Sequence, residues 1–139
     1  MNKSASRELA FQLVYSAQIQ KEMEEEQFEI FCQINEIKGE GTKKYIHDIL
    51  NGIKDNKEKI EGLISSNLKK GWTIERISKI DLALLKIAIY EMIEKNIHYK
   101  IVVNEVVELA KKYSEEQSPS FINGVLASII KQNNIAKEE

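Results

Sequence analysis

The 139-residue chain is 42% hydrophobic but only 7% aromatic, with one proline and six glycines, a balance that favours helices over a β-sandwich and suits one core or two small packed ones. Twenty basic against twenty-two acidic residues leave a net charge of -2, which excludes a whole-surface cationic field and makes any contact with nucleic acid local. A single cysteine, Cys32, excludes an intrachain disulfide and a cysteine-based metal site, and no apolar run has the length of a signal peptide or a membrane span, so a cytoplasmic protein is expected.

From Ser6 to Ala17, Leu9, Ala10, Leu13, Val14 and Ala17 recur at helical spacing, with Arg7, Phe11, Tyr15 and Gln18 on a neighbouring face. A second stripe of Phe28, Phe31, Ile34 and Ile37 ends at the glycines of 38–41. Thr42 is placed to cap a third helix carrying Tyr45, Ile46, Ile49 and Ile53 inward, weakened at its end by Gly52. Asp55 and Glu58 have the spacing of a capping box for a fourth helix, with Ile60, Leu63, Ile64 and Leu68 inward and Gly71 at its close. The run 80–93, IDLALLKIAIYEMI, is too apolar for a surface helix and is read as a buried central one, capped by Ser78. Its three polar positions, Asp81, Lys86 and Glu91, should emerge between neighbouring elements.

The β-branched segment from Ile101 continues at helical spacing through Val102, Val106, Leu109 and Tyr113. Ser118 as cap and Pro119 at the first helical position open a last helix through Ile129, after which the polar tail from Lys131 should fray. The elements together specify an all-α fold. Asn104 among valines and Asn123-Gly124 within a strong helical pattern point to close helix contact or buried hydrogen bonding, with direct ligand contact as the alternative.

Charge is unevenly distributed. Residues 1–21 hold Lys3, Arg7 and Lys21 against Glu8, the next eight hold Glu22, Glu24, Glu25, Glu26 and Glu29, and residues 69–86 are basic again through Lys69, Lys70, Arg76, Lys79 and Lys86. If the two basic segments meet they form a patch; otherwise they are two solvated helix faces. His47 and His98 lie in separate segments without zinc-ligand spacing, Glu105 and Glu108 fit a solvated face, and no phosphate-loop or nucleophile-elbow sequence occurs. No enzymatic activity, cofactor or metal is expected.

Four segments resemble the NusB family of transcription antitermination factors: SRELAFQLVY at 6–15, WTIERISKIDLALLKIAIYE at 72–91, VVNEVVELAKKY at 102–113 and FINGVL at 121–126. The resemblance implies one domain of about seven helices in two small packed bundles, about 1–70 and 72–133. It also implies a factor that binds boxA-like RNA with the ribosomal protein NusE, joins elongating RNA polymerase with other Nus factors, and supports transcription of ribosomal RNA operons. By position, Arg7, Gln12 and Tyr15 match the RNA-facing pattern of the first helix, Lys86 a basic position of the central helix, and Phe121 the opening of the last motif. Lys3 and Lys69 complete the expected RNA face, while Glu75, Arg76 and Asp81 match the surface that meets NusE. An alternative is a protein-only adaptor or homodimerisation module that uses the same helical surfaces without RNA.

Overall fold

Residues 2–20 and 25–135 are described in the computed structural model, and among them seven α-helices and no strand are found. These are α1 (Lys3–Gln20), α2 (Glu25–Ile34), α3 (Glu40–Asp55), α4 (Lys57–Ser65), α5 (Lys79–Ile89), α6 (Tyr99–Tyr113) and α7 (Ser118–Gln132). A 3-10 turn at Ile74–Arg76 precedes α5 and a π-helical turn at Tyr90–Glu94 follows it. Lys21, Glu22 and Glu24 of the charge pattern, and residues 136–139 of the tail, lie outside the described residues. No helix among them is long and apolar enough to cross a membrane.

The helix α5 is central because almost nothing on it is polar: Leu82, Ala83, Leu84, Leu85, Ile87, Ala88 and Ile89 are all buried. Helices α1, α4, α6 and α7 pack against it, and α1 also lies along α3. The buried side chains of both halves of the chain form one hydrophobic cluster. Two of the three polar residues of the central run do not emerge, because each finds partners inside: Asp81 accepts from Ser114 and Ser118, and Glu91 from Arg7 and Tyr45; Lys86 does emerge between neighbouring elements, partly buried beside Glu61 at the edge of a groove.

Several helix ends differ from the sequence pattern. The third helix begins at Glu40, whose charge suits the helix start, so Thr42 lies inside it and caps nothing. It runs through Asp55, which therefore cannot open α4; Asn56 is the junction, and its amide donates back to the Gly52 carbonyl. α4 ends at Ser65, and Gly71, with φ of 91°, turns the chain beyond it. Ser118 is the first residue of α7 and not its cap, since its hydroxyl is committed to Asp81, and α7 continues through Lys131 to Gln132. In α2, Ile34 is 74% exposed. Phe28 and Cys32, four residues apart, take the inward stripe, and Ile37 folds back beneath them with its N–H on the Cys32 carbonyl. Ser78 does cap α5, accepting from the Asp81 N–H at 3.1 Å.

Gly52 does more than loosen a helix end. A Cβ there would lie 2.1 Å from Tyr90 Cζ, so α3 can reach the π-helical turn, where Tyr90 donates to Asp48 at 3.1 Å, only with glycine. Gly52→Ala should cost at least ~1 kcal/mol by overpacking, although alanine is the better helix former. Denaturant melts read this directly, and an unchanged or raised midpoint would contradict the close approach.

Candidate nucleic-acid interface

Of the expected RNA-facing residues of α1, Arg7 is buried, Gln12 and Tyr15 are partly buried and Lys3 is exposed. Arg7 is 2% exposed; its Nε donates to Glu91 Oε1 at 2.6 Å, Nη2 to Glu91 Oε2 at 3.1 Å, and Nη1 to Glu105 Oε1 at 2.7 Å. Burial would lower the pKa of this guanidinium, but the hydrogen bonds and charge of Glu91 more than reverse it, holding Arg7 fully cationic. Gln12 donates to the Tyr113 hydroxyl at 3.1 Å, and half-buried Tyr15 packs beside Phe11 with ring centroids 6.4 Å apart. Lys3 stays exposed, its ammonium 4.0 Å above the Tyr45 ring. Around them Ser4 reaches Glu105, and Lys112 and Tyr113 both bond Glu8, so the N-terminal half of α1 is stitched to α6.

A basic and aromatic surface forms elsewhere, around Trp72. This residue, the chain's one tryptophan, is 44% exposed on the turn after Gly71. The Phe121 ring lies 5.9 Å from it at 37°, and the Arg76 guanidinium sits 4.8 Å over its face while donating to the Gly71 carbonyl. Lys69, Gln117, Ser120, Ser128 and Gly124 line the same groove, of about 730 Å³. Three residues expected at functional surfaces, Lys69, Phe121 and Arg76, are thus brought together by one that sequence reasoning passed over. The signal for Trp72 was available: a lone tryptophan beside a glycine in a polar segment is poorly explained by core packing.

Gly124 belongs to this groove and not to a tight helix crossing. Nothing lies within 4 Å of where its Cβ would be, and it is exposed. A helical glycine that nothing inside the chain requires leaves room for something outside it. Gly124→Ala should raise folding stability by up to ~1 kcal/mol while weakening whatever ligand fills the groove; parallel thermal melts and binding titrations separate the two effects.

Lys86 and Glu75 occupy a second groove between α1, α3 and the approach to α5, together with Gln18, Lys54, Lys57 and Lys79. Its floor is apolar, from Val14, Ala17, Leu50, Ile53 and Leu82. The Lys86 side chain is 11% exposed and 3.6 Å from Glu61. Burial pulls its pKa below the usual lysine value, an effect that Glu61 partly offsets and that Lys57 and Lys79 reinforce. Leu68, Trp72, Ile74, Glu61 and Glu75 line a channel that shares residues with both grooves. The two therefore form one continuous face. Lys54, Lys57, Lys69, Arg76, Lys79 and Lys86 lie on it against Glu58, Glu61 and Glu75, a local positive excess in a chain of net charge -2.

Arg7 is not part of that face. It lies by α6 and the π-helical turn, bonded to Glu91, whereas Lys86, five residues earlier and about 140° round the helix, faces α4. Asp81 is also absent from the surface: 6% exposed, it accepts from Ser114 Oγ at 2.6 Å and Ser118 Oγ at 2.8 Å and so fixes the α6–α7 loop to the start of α5.

The chain matches the NusB family over residues 4–131. It is 45% identical over 132 residues to the transcription antitermination protein NusB of Acetivibrio thermocellus, covering 94% of this chain and 90% of that one. A similar relative in Clostridium novyi is 45% identical over 133 residues, with 94% and 99% covered. Among solved structures, a crystal structure of the antitermination factors NusB and NusE in complex with dsRNA superposes with a TM-score of 0.85 at 25% identity, over 94% of this chain and 96% of that one. Fold, motifs and full-length similarity agree: the chain belongs to the NusB family.

Proposed function

We propose that this NusB-family transcription antitermination protein binds boxA-like, single-stranded RNA together with a NusE-type partner, and in that complex accompanies elongating RNA polymerase on ribosomal RNA operons. The observation that carries the reading is the face around Trp72, where Lys69, Arg76 and Phe121 converge beside the open helix surface at Gly124. Unpaired bases stack on exposed rings while cations hold the flanking phosphates, and this chain has both within one groove. The neighbouring groove of Lys86 and Glu75, apolar below and mixed in charge at its rim, supplies the partner side, where Glu75 sets orientation. Lys3 lies apart from this face, over the Tyr45 ring, and Gln12 is turned to Tyr113 of α6 and Tyr15 to Phe11, so neither is assigned to it. A known NusB complex with NusE and dsRNA supports pairing the two ligands.

Titration of boxA-like RNA against the chain, with and without a NusE-type protein, tests the proposal. Three to five phosphate contacts give a log-affinity slope against log salt of roughly -2 to -3.5, and Lys69→Ala should reduce its magnitude by about 0.7. Partner binding that survives ribonuclease, with no RNA retained at any salt, would leave the protein-only adaptor as the correct reading.

A further inference from the structure

Binding leaves the chemical character of Lys86 unused. This residue lies in a groove of about 490 Å³ with Lys54, Lys57 and Lys79, but those three are exposed, whereas its own side chain is 11% exposed beside a floor that includes Leu50, Ile53 and Leu82. Its Nζ is 3.6 Å from Glu61 Oε2, and Lys57 of α4 and Lys79 at the start of α5 are near enough for their charges to act on it. The other charged groups lining the groove, among the described residues, are Lys54 of α3 and Glu75 of the 3-10 turn, while α1 contributes Val14, Ala17 and Gln18. Burial, helped by the two neighbouring cations, pulls the Lys86 pKa below the usual lysine value, and Glu61 offsets only part of this. A lysine partly desolvated beside other cations is more readily neutral than one in water, and the neutral amine is the nucleophile.

We infer that Lys86 is an acylation site of the free chain, taking the acyl group of a small acyl phosphate whose phosphate is held by Lys57 and Lys79. These cations supply what an isolated surface lysine lacks. They gather the anion beside the amine, and they stabilise the charge that builds on the phosphate as it departs. Once the ammonium has lost one proton to water, the Nζ lone pair attacks the acyl carbon, the amide C–N bond forms, and the C–O bond to phosphate breaks. The second proton passes by way of Glu61 to the leaving group, which departs as hydrogen phosphate; no oxidant, reductant or further reactant is consumed. The product is an uncharged amide. This chemistry stands without the functional reading, but its consequence rests on that reading: a partner seated in the groove shields Lys86, and an acylated Lys86 has no charge to present to it.

The test treats the intact chain with acetyl phosphate and, separately, with N-acetoxysuccinimide, an uncharged acylating reagent, and follows the initial rate at each lysine by peptide mass spectrometry. Near neutral pH, acetyl phosphate should modify Lys86 at least fivefold faster than the exposed Lys38 and Lys44, and this ratio should shrink as pH rises towards about 10, where ordinary lysines lose their protons too. Lys57→Gln combined with Lys79→Gln, both at exposed helical positions, should keep the melting point. The pair should slow acetyl phosphate at Lys86 at least fivefold but the uncharged reagent no more than about twofold, the smaller change coming from a more basic Lys86. Modification of Lys86 no faster than that of Lys38 and Lys44 overturns the inference, and so does a double variant that fails to separate the two reagents. A NusE-type protein added before the reagent should protect Lys86. Selective acylation without that protection upholds the acylation site and counts instead against seating the partner in this groove.

Discussion

Arg7→Ala should cost about 3–5 kcal/mol of folding stability, a fall of roughly 10 °C or more in melting temperature for a domain of this size. The substitution strands the Glu91 carboxylate, 2% exposed, with only the Tyr45 hydroxyl left to serve it among the described residues, and removes a charged partner from Glu105. It also removes one link from α1 to the π-helical turn and one to α6 at once, because a single guanidinium fork spans both. Arg7→Lys should recover little, since one ammonium cannot reproduce three donors in a plane. Arg7→Met combined with Glu91→Leu should recover much of the loss, because no unpaired charge then remains buried. At a temperature where Arg7→Ala is folded, RNA affinity should be within about twofold of the unmodified chain. Intact stability with lost RNA binding would instead return Arg7 to the RNA face that its sequence position first implied.

That reversal shows which parts of the molecule periodicity can reach. The central helix was legible because apolar side chains at nearly every position admit one environment, and α5 is buried as that pattern requires. The Ser78 cap was legible for a similar reason: it is settled within four residues of chain. Arg7, Asp81 and Glu91 were not, because whether a charged residue faces water or the interior depends on partners far along the chain, and theirs are 33 to 98 residues away. The motif asparagines failed in the opposite direction. Asn104 and Asn123 sit in apolar runs, but helical spacing puts them one step outside the buried stripes of Val102, Val106, Ile122 and Val125. Lys69, Arg76 and Phe121 could be named singly from sequence, yet only the fold shows that Trp72 gathers them.

Replacing Trp72 by alanine and Phe121 by leucine should lower RNA affinity by about 2–4 kcal/mol, a thirty- to thousandfold loss, because stacking contributes roughly 1–3 kcal/mol per base and two adjoining rings are removed. Trp72 is 44% exposed and its loss leaves no cavity, while leucine keeps an apolar body where half-buried Phe121 meets the core; the melting point should therefore move little. A loss spread evenly over all RNA sequences would assign the rings to general backbone contact. A loss confined to one or two positions of a boxA-like oligonucleotide would locate the stacked base. Because Trp72 is the chain's one tryptophan, its fluorescence reports the same event without a label: RNA should quench it in the unmodified chain, and Lys69→Ala should shift the titration to higher RNA concentration without changing the final quench. The cation holds the strand near the groove, whereas the ring decides what happens to the base once it is there. If saturating RNA leaves Trp72 emission untouched, no base stacks at this groove, whatever the measured affinity.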